Sequence, residues 1–268
     1  MTSLLIESIR LTVWLALLCA LFVPLERLAG DARQDILRAQ LLTDLGYYGL
    51  NSLLTGLLLG VPLMLLGSAL HRLIPAPVLG ALAALPLAAR VGVSVLLAEV
   101  GFYWGHRLSH EVPLLWRFHS IHHSAETVDF LTNTRAHPID MVFTRLCGFV
   151  PVVALGLAAG AGVPALVLVL GTIWGFFVHA NLRWRFGFLE HLIATPFFHR
   201  WHHTNDSSRD LNYAAMLPLV DHLFGTYHSP AHWPTRYGID DPMPPSLGAQ
   251  LLKPCLPRPA AQALRPRP

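Results

Sequence analysis

Residues 46–70 read GYYGLNSLLTGLLLGVPLMLLGSAL and contain no charged side chain. A helix of about 20 mainly apolar residues is long enough to cross the hydrocarbon core of a bilayer, so this stretch predicts a transmembrane helix. The composition agrees, since 53% of the 268 residues are hydrophobic and 13% are charged. A soluble domain carries about 25% charged residues. The composition therefore excludes an ordinary soluble enzyme, and its high apolar content excludes a disordered chain.

Other apolar stretches predict further crossings. Residues 11–25 predict a first span, and residues 88–105 predict another. The uncharged stretch 146–181 is too long for one crossing and is broken at 160–164, so it predicts a helical hairpin of two crossings. Residues 73–87 contain several prolines and are interpreted as a re-entrant or interfacial segment. Together these stretches predict an all-α integral membrane protein with about four to five transmembrane helices.

The distribution of positive charge predicts the orientation. With the N-terminus outside, every lysine and arginine except Arg10, Arg72 and Arg90 falls on the inner side, as the excess of positive residues in cytoplasmic loops requires. We therefore expect a protein of the inner (cytoplasmic) membrane whose polar segments lie in the cytoplasm. Residues 1–230 are interpreted as one membrane-embedded domain and residues 231–268 as a Pro-rich C-terminal tail. The net charge of +3 is too small and too scattered to indicate nucleic-acid binding.

Eight of the 15 histidines lie in three short motifs, HRLSH at 106–110, HSIHH at 119–123 and HRWHH at 199–203. Side chains three or four positions apart are neighbours on a helix, so two rings can converge on one ion. An adjacent ring points about 100° away and could serve a second ion. Eight imidazoles exceed the needs of one ion and suit two, but imidazole binds iron, zinc, copper and nickel alike.

The three motifs share one side of the membrane, because the segment between the second and third contains the predicted hairpin of two crossings. We therefore expect a cytoplasmic helical cap that carries a histidine-rich dimetal site.

The motifs also carry a family resemblance. YWGHRLSH at 103–110, WRFHSIHHS at 116–124 and FHRWHH at 198–203 resemble the histidine boxes of the fatty acid hydroxylase / sterol desaturase superfamily. RAHP at 135–138 and the stretch from Asp210 to Thr226 extend the resemblance over a histidine-box core of residues 95–228. It implies a membrane di-iron oxygenase, which uses O2 and two external electrons to hydroxylate or desaturate a C–H bond of a sterol, fatty-acyl or related lipid.

The resemblance also implies the cofactor, the partners and the ligands. The cofactor would be two iron ions, in place of which a purified sample could hold another divalent metal such as zinc. The electron donor would be a ferredoxin, a cytochrome b5 or a reductase. The implied metal ligands are His106, His110, His119, His122, His123, His179, His199, His202 and His203, with His137 as a further candidate and His191 and His222 left open. His222 departs from the family, where an arginine is more usual.

Glu99 is the only acidic residue inside a predicted span, and it lies on the same helical stripe as His106 and His110. A carboxylate in a membrane is costly and usually functional. We predict that Glu99 accepts a hydrogen bond from the second ring nitrogen of a metal ligand. The same role is open to Asp129, Asp140, Asp206, Asp210 and Asp221, and Asn205, Asn212 and Tyr213 are expected to shape the site.

Aromatic residues surround the motifs and admit two interpretations. They could exclude water from the metals or form an aromatic belt at the membrane interface. The residues concerned are Phe102, Trp104, Trp116, Phe118, Phe197, Phe198 and Trp201. The cysteines, Cys19, Cys147 and Cys255, lie far apart and are interpreted as small apolar fillers.

Two other functions compete with the lipid oxygenase. A membrane metal-binding protein without redox catalysis would need a polar path through the spans, where Glu99 is the only acidic residue. A membrane hydrolase with a bound metal would be expected to carry a motif such as HExxH or GxSxG, and the sequence contains neither. The lipid substrate, and the choice between hydroxylation and desaturation, stay open.

Overall fold

The structure, a computed structural model, describes residues 2–30, 34–35, 37–158 and 162–257. These residues form helices joined by turns, and no β-strand occurs among them; one isolated antiparallel bridge joins Thr204 to Tyr237. The prediction of an all-helical fold is confirmed.

The α-helices are α1 (Thr2–Ala29), α2 (Leu41–His71), α3 (Ala76–Ala83), α4 (Leu87–Glu111), α5 (Pro113–His123), α6 (Pro138–Ala154), α7 (Gly162–His179), α8 (Pro196–His202), α9 (Leu219–Phe224) and α10 (Leu247–Leu252). Short 3-10 helices lie at Phe130–Thr134, Gly187–His191, Ser207–Asp210 and Lys253–Cys255.

Within the described residues, three helices are long and apolar enough to cross a membrane: Leu5–Ala29, Leu41–His71 and Leu87–Glu111. Large apolar side chains on them face outward; Leu57 on α2, for example, is 75% exposed. Such a surface is stable against lipid tails but not against water. The three helices are consistent with an integral membrane protein. Leu166–His179 is a shorter apolar helix, so the predicted count of four to five crossings stays a prediction.

The predicted hairpin 146–181 forms two helices, α6 and α7, but α6 begins earlier than the uncharged stretch does. It starts at Pro138, whose missing N–H is tolerated in a first helical turn, and the His137 side chain accepts the backbone N–H of Ile139 there. Arg145 therefore lies inside α6, not in an inner loop. The α6 helix ends at Ala154, and residues 160 and 161 of the predicted break lie outside the described residues. The predicted re-entrant stretch 73–87 contains the short helix α3.

Helix α4 packs closely against α6 because two glycines of α4, Gly101 and Gly105, lie in the contact. A side-chain carbon at Gly101 would lie 2.1 Å from the carbonyl oxygen of Cys147, and one at Gly105 would lie 2.9 Å from the Cys147 side chain. Only glycine permits this approach of two backbones. The contact fixes the end of α4 that carries His106 and His110 relative to α6.

Part of the predicted tail folds back on the helices. Gln250 on α10 is buried, and Nε2–H of His137 donates to the carbonyl oxygen of Leu251 over 3.2 Å. The domain boundary at residue 230 stays a prediction, and residues 258–268 lie outside the described part of the chain.

Candidate metal centre

Nine histidines converge in two groups. The first histidine group contains His106, His110, His119, His123 and His202, and the second contains His122, His179, His199 and His203. In each group one ring nitrogen from every member lies within 4.8 Å of the others. All nine rings are buried except that of His106, which is partly buried. The structure thus brings together every histidine of the three motifs, together with His179 from the end of α7.

The helical period decides which ring joins which group. On α5, His119 and His123 are four residues apart and share the first group, whereas His122 turns to the second. Around α8 the order is reversed: His199 and His203 share the second group and His202 turns to the first. Neighbouring rings therefore serve different groups, as the 100° step of a helix predicts. The partners within a group are four residues apart, not three.

Nitrogen distances in the second group are those of ligands around one ion. The Nε2 atom of His179 lies 3.0 Å from Nε2 of His199, 3.1 Å from that of His122 and 3.2 Å from that of His203. Ligand nitrogens about 2.1 Å from a tetrahedral ion are themselves roughly 3.4 Å apart. Four neutral rings facing one another cannot satisfy all these nitrogens by hydrogen bonding, because each ring has only one N–H. A cation at the centre of the group would satisfy them.

The first group shows the same convergence. The Nε2 atoms of His106 and His119 lie 3.2 Å apart. The Nε2 atoms of His123 and His202 are buried and have no hydrogen-bond partner in the described part of the chain. Since a buried polar atom without a partner is costly, these atoms also fit a metal ion. Each group supplies only imidazole nitrogens, and such donors suit several transition metals.

In six of the nine rings the Nδ1 nitrogen, on the other side of the ring from Nε2, is hydrogen-bonded to the protein. Nδ1–H of His119 donates to Asp140 and that of His110 donates to Asp210, both over 2.9 Å. Four more rings donate to backbone carbonyl oxygens: His106 to Tyr213, His122 to Arg135, His179 to Gly175 and His202 to Leu211, over 2.7–3.0 Å. Such a bond fixes the tautomer and leaves the Nε2 lone pair free for a metal.

Burial keeps these imidazoles uncharged. It lowers the pKa of each of five rings outside the membrane-spanning helices well below its usual range, and neighbouring rings lower the pKa further. The five are His122, His123, His199, His202 and His203. A neutral imidazole is the form that binds a metal, so both groups are ready for ions at neutral pH.

Glu99 lies near the groups but bonds elsewhere. Its Oε1 atom accepts the backbone N–H of Met216 over 2.8 Å and that of Leu217 over 3.0 Å. The sequence predicted an imidazole partner, whereas these hydrogen bonds join α4 to the segment before α9. A role for Glu99 toward the metal ligands stays a prediction.

The five candidate aspartates divide by partner. Only Asp140 and Asp210 accept from histidines of the groups. Asp129 binds Arg38 and caps the 3-10 helix at Phe130–Thr134. Asp206 caps Ser207–Asp210, and Asp221 accepts the backbone N–H groups of Tyr213 and Ala214.

The three other histidines considered as ligands, His137, His191 and His222, lie outside both groups. His137 caps α6 with its Nδ1 atom and binds Leu251 with Nε2. His191 and His222 pair with each other, Nδ1 to Nε2, over 3.1 Å, and both stack on Tyr227. A ligand role for His137 therefore stays a prediction, and the roles of His191 and His222 stay open.

The aromatic residues also divide. The Trp116 ring packs 5.1 Å from His110 and 5.6 Å from His123, and Tyr213 packs 5.2 Å from His110. Phe102 lines the cavity described below. The others lie elsewhere: Phe118 against His137, Phe197 against Trp233, Phe198 against Tyr227, Trp201 against His228 and His232, and Trp104 against Phe224.

Asn205 and Asn212 hold loops around the site. Asn205 donates from its side chain to Asp240 on the exposed surface. Asn212 has a positive φ of 58° and donates to the carbonyl oxygens of Phe198 and His228. These bonds support the loop in which Leu211 and Tyr213 present their carbonyl oxygens to His202 and His106.

A cavity of about 260 Å³ reaches both groups. Rings of the first group (His106 and His119) and of the second (His122, His179 and His199) line one part of it. Apolar side chains from the membrane-side helices line much of the rest, among them Ala98, Phe102, Met141, Phe149 and Val167. The arrangement places both candidate metal sites beside a largely apolar cavity.

Two features of this site are not predicted by the sequence: the backbone carbonyl oxygens that accept from the histidines, and Arg145. The backbone carbonyl oxygens that hold the histidines leave no signal in residue identity. Arg145, which lines the cavity, did leave a signal: it directly precedes the uncharged stretch that begins at residue 146.

The chain is similar in sequence to proteins that are already characterised. The chain is 35% identical to the ornithine lipid hydroxylase OlsE of Rhizobium tropici over 173 residues, which are 63% of this chain and 51% of the relative. It is 32% identical to the alkylglycerol monooxygenase of Danio rerio over 152 residues, 56% of this chain and 33% of the relative. The chain thus spans about half or less of the length of these curated relatives. No solved structure matches it.

The fatty acid hydroxylase family model matches residues 91–226. This region is half of the chain and contains all three histidine motifs and His179. The resemblance carried by the motifs is confirmed, and the chain belongs to the fatty acid hydroxylase family.

Proposed function

We propose that the protein is a membrane di-iron oxygenase that hydroxylates or desaturates a C–H bond of a lipid with O2 and electrons from an external donor. The observation that carries the proposal is the position of both histidine groups on one largely apolar cavity. The names of the relatives, an ornithine lipid hydroxylase and an alkylglycerol monooxygenase, support a lipid substrate.

The first group would hold one iron and the second group the other, and zinc could occupy the same donors in a purified sample. When bound, the irons supply the oxidising chemistry that breaks an unactivated C–H bond, which no side chain can supply. The protein contributes ligation, orientation and exclusion of water.

Orientation comes from the partners of the Nδ1 atoms. Asp140, which is 6% exposed, holds His119, and the carbonyl oxygen of Arg135 holds His122. Because each ring is fixed from behind, its Nε2 atom stays aimed at the centre of its group. Trp116 and Tyr213 pack against His110 of the first group, where they would keep water away from the metal.

The cavity would admit the substrate through the gap between α6 and α7, which would face the lipid bilayer. Helix α4 contacts both α6 and α7, whereas α6 and α7 make few contacts with each other. The cavity between them is lined by Met141 and Phe149 of α6 and by Val167 and Leu168 of α7, and Leu168 is 48% exposed. An acyl chain or a sterol could therefore enter from the bilayer without crossing water.

The histidine groups would lie on the cytoplasmic side of the inner membrane, as the distribution of positive charge predicts. Electrons would come from a ferredoxin, a cytochrome b5 or a reductase. We expect no nucleic-acid partner.

The test combines metal analysis with lipid analysis. The full chain purified in detergent should contain two irons, and cells that express it should contain a lipid heavier by one oxygen or lighter by two hydrogens. His122→Ala and His202→Ala, one from each group, should abolish the lipid change. His232→Ala, a ring outside both groups, should preserve it.

Full lipid modification by the His122→Ala and His202→Ala variants would overturn the proposal. Loosely held zinc or copper, with no lipid change in wild-type cells, would instead support a metal-binding protein without redox catalysis.

A further inference from the structure

Arg145 presents a cation to the same cavity. It lies in the middle of α6, and with Met141 and Phe149 it forms a face in which residues recur every four positions. Residues at that spacing share one side of a helix. All three line the cavity, so the guanidinium belongs to a surface that is otherwise largely apolar.

The guanidinium has no partner in the described part of the chain, where no hydrogen bond or ion pair reaches it. Arg145 is partly buried, and two fully buried arginines differ from it. Nε of Arg135 donates to Asp44 over 2.7 Å, and Arg200 donates to the side-chain oxygen of Asn181 over 2.9 Å. Both of these fully buried arginines are paired, whereas no such partner among the described residues reaches Arg145.

Glu99 is the acidic residue of the facing helix α4 that also lines the cavity. Its Oε1 atom is occupied by the backbone N–H groups of Met216 and Leu217, and it forms no ion pair with Arg145 among the described contacts. The guanidinium of Arg145 is thus not held in an ion pair by the carboxylate of the facing helix.

An unpaired charge in apolar surroundings is costly, and charged residues inside membrane helices usually mark a binding or transport function. A guanidinium carries five N–H donors in a planar fork that matches the oxygens of a carboxylate or phosphate. The ligand that relieves the cost is therefore an anion, and the apolar remainder of the cavity suits a hydrocarbon chain.

We propose that Arg145 binds the anionic group, carboxylate or phosphate, of an amphiphilic lipid substrate whose hydrocarbon chain occupies the cavity. This rests on the proposed function, since it names the substrate class of the same site. Arg145 lies five residues beyond Asp140 on α6, about 7.5 Å along the helix axis. Because Asp140 holds His119, an anion on Arg145 would fix how far the substrate reaches toward the histidine groups.

Binding of matched probes tests the inference without turnover. The full chain in an uncharged detergent is titrated with dodecanoate, dodecyl phosphate and dodecanol, and the bound amphiphile is counted by native mass spectrometry. The wild type should bind one or both anions more tightly than the alcohol, on the order of tenfold to hundredfold, because bonds to charged groups are strong. Acetate and inorganic phosphate alone should bind weakly, since they lack the chain.

Three variants assign the effect to the guanidinium. Arg145→Gln should lose the preference for the anions while its affinity for dodecanol stays unchanged. Arg145→Lys should keep part of the preference, because it retains the charge but loses the fork. Arg72→Gln, an exposed cation just beyond the end of α2, should behave as the wild type.

Equal binding of anions and alcohol by the wild type would overturn the inference, as would an unchanged preference in Arg145→Gln. The wild-type comparison keeps the test decisive even if Arg145→Gln fails to fold. Iron content and lipid oxidation are measured on the same samples. An iron-loaded, active wild type that shows no anion preference rejects only this inference, whereas a wild type that prefers the anions but lacks both iron and lipid oxidation rejects only the proposed function.

Discussion

His122 and His123 are neighbours in the chain, yet their rings face different histidine groups, with ring planes 89° apart and centroids 5.5 Å apart. The same division separates His202 from His203 at the end of α8. Helices α5 and α8 therefore each contribute to both groups. Loss of a single ring should affect mainly one group, whereas movement of either helix should disturb both.

Replacement of single rings should remove the metals separately. His122→Ala leaves three rings in the second group, and His123→Ala leaves four in the first. We expect each variant to release one metal ion more readily than the other, with the larger loss in His122→Ala because fewer donors remain. Metal per chain after dialysis, measured by plasma mass spectrometry, gives the answer.

His137→Ala is the matched control, since this ring caps α6 and lies in neither group. It should retain the wild-type metal content. Equal loss in all three variants would mean that the groups do not bind separate ions.

The carboxylates of Asp140 and Glu99 should have different effects when removed. Asp140 holds a ring of the first group, so Asp140→Ala should weaken metal affinity by about 10- to 100-fold. Glu99 holds two backbone N–H groups, so Glu99→Ala should leave metal affinity nearly unchanged but lower the stability by about 1–3 kcal/mol for each donor left unpaired.

Metal affinity from chelator competition, together with thermal unfolding, separates the two roles. A large loss of metal from Glu99→Ala, with little effect of Asp140→Ala, would show that Glu99 supports the metal ligands, as the sequence predicts, and that Asp140 does not.

Acid should destabilise the metal-free protein. Burial holds the pKa of His122, His123, His199, His202 and His203 well below the usual value, so these rings are neutral when folded. In the unfolded chain a histidine takes up its proton at about pH 6.5. Below that pH the unfolded state binds more protons than the folded state. The free energy of unfolding therefore decreases as the pH is lowered.

The thermal midpoint of chelator-stripped protein should thus be constant from about pH 8 to pH 7 and fall as the pH drops below about 6.5. A double variant, His122→Gln with His203→Gln, should show a shallower fall. A midpoint that rises on acidification would contradict the assignment of neutral buried rings.

Local patterns predicted the identity of the histidines better than their grouping. The motifs and the family resemblance predicted all nine rings that the structure brings together. The pairing by three-residue spacing, as in His119 with His122, was not found. On a helix, steps of three and four residues deviate from a full turn by similar angles in opposite directions, so the sequence cannot choose between them without the position of the second group.

The features that the sequence did not predict depend mainly on contacts between residues far apart in the chain. The stripe of Glu99, His106 and His110 gave the direction of the Glu99 side chain, but not the segment at Met216 that folds against it. The uncharged stretch begins only at residue 146 and so predicts a loop position for Arg145, whereas Arg145 lies inside α6. Arginine is a good helix former, and α6 begins where Pro138 and the His137 cap permit, ahead of the apolar stretch.

The approach of α4 to α6 should be the feature of the fold most sensitive to a small substitution. A methyl group at Gly101 would lie 2.1 Å from the Cys147 carbonyl oxygen and 2.8 Å from Cα of Gly148, so Gly101→Ala must push the helices apart. Overpacking of this kind costs about 1–3 kcal/mol. Because α4 carries His106 and His110, the variant should also bind metal less tightly.

Gly92→Ala is the matched control on the same helix, where a methyl group would meet nothing within 4 Å. Alanine favours a helix over glycine by up to about 1 kcal/mol, so Gly92→Ala should be neutral or slightly stabilising. Thermal unfolding and metal content of the two variants are compared in the same detergent. If Gly101→Ala unfolds at the same temperature as Gly92→Ala and keeps its metal, α4 and α6 do not pack with their backbones in contact, and the position of the first histidine group beside the cavity would have to be revised.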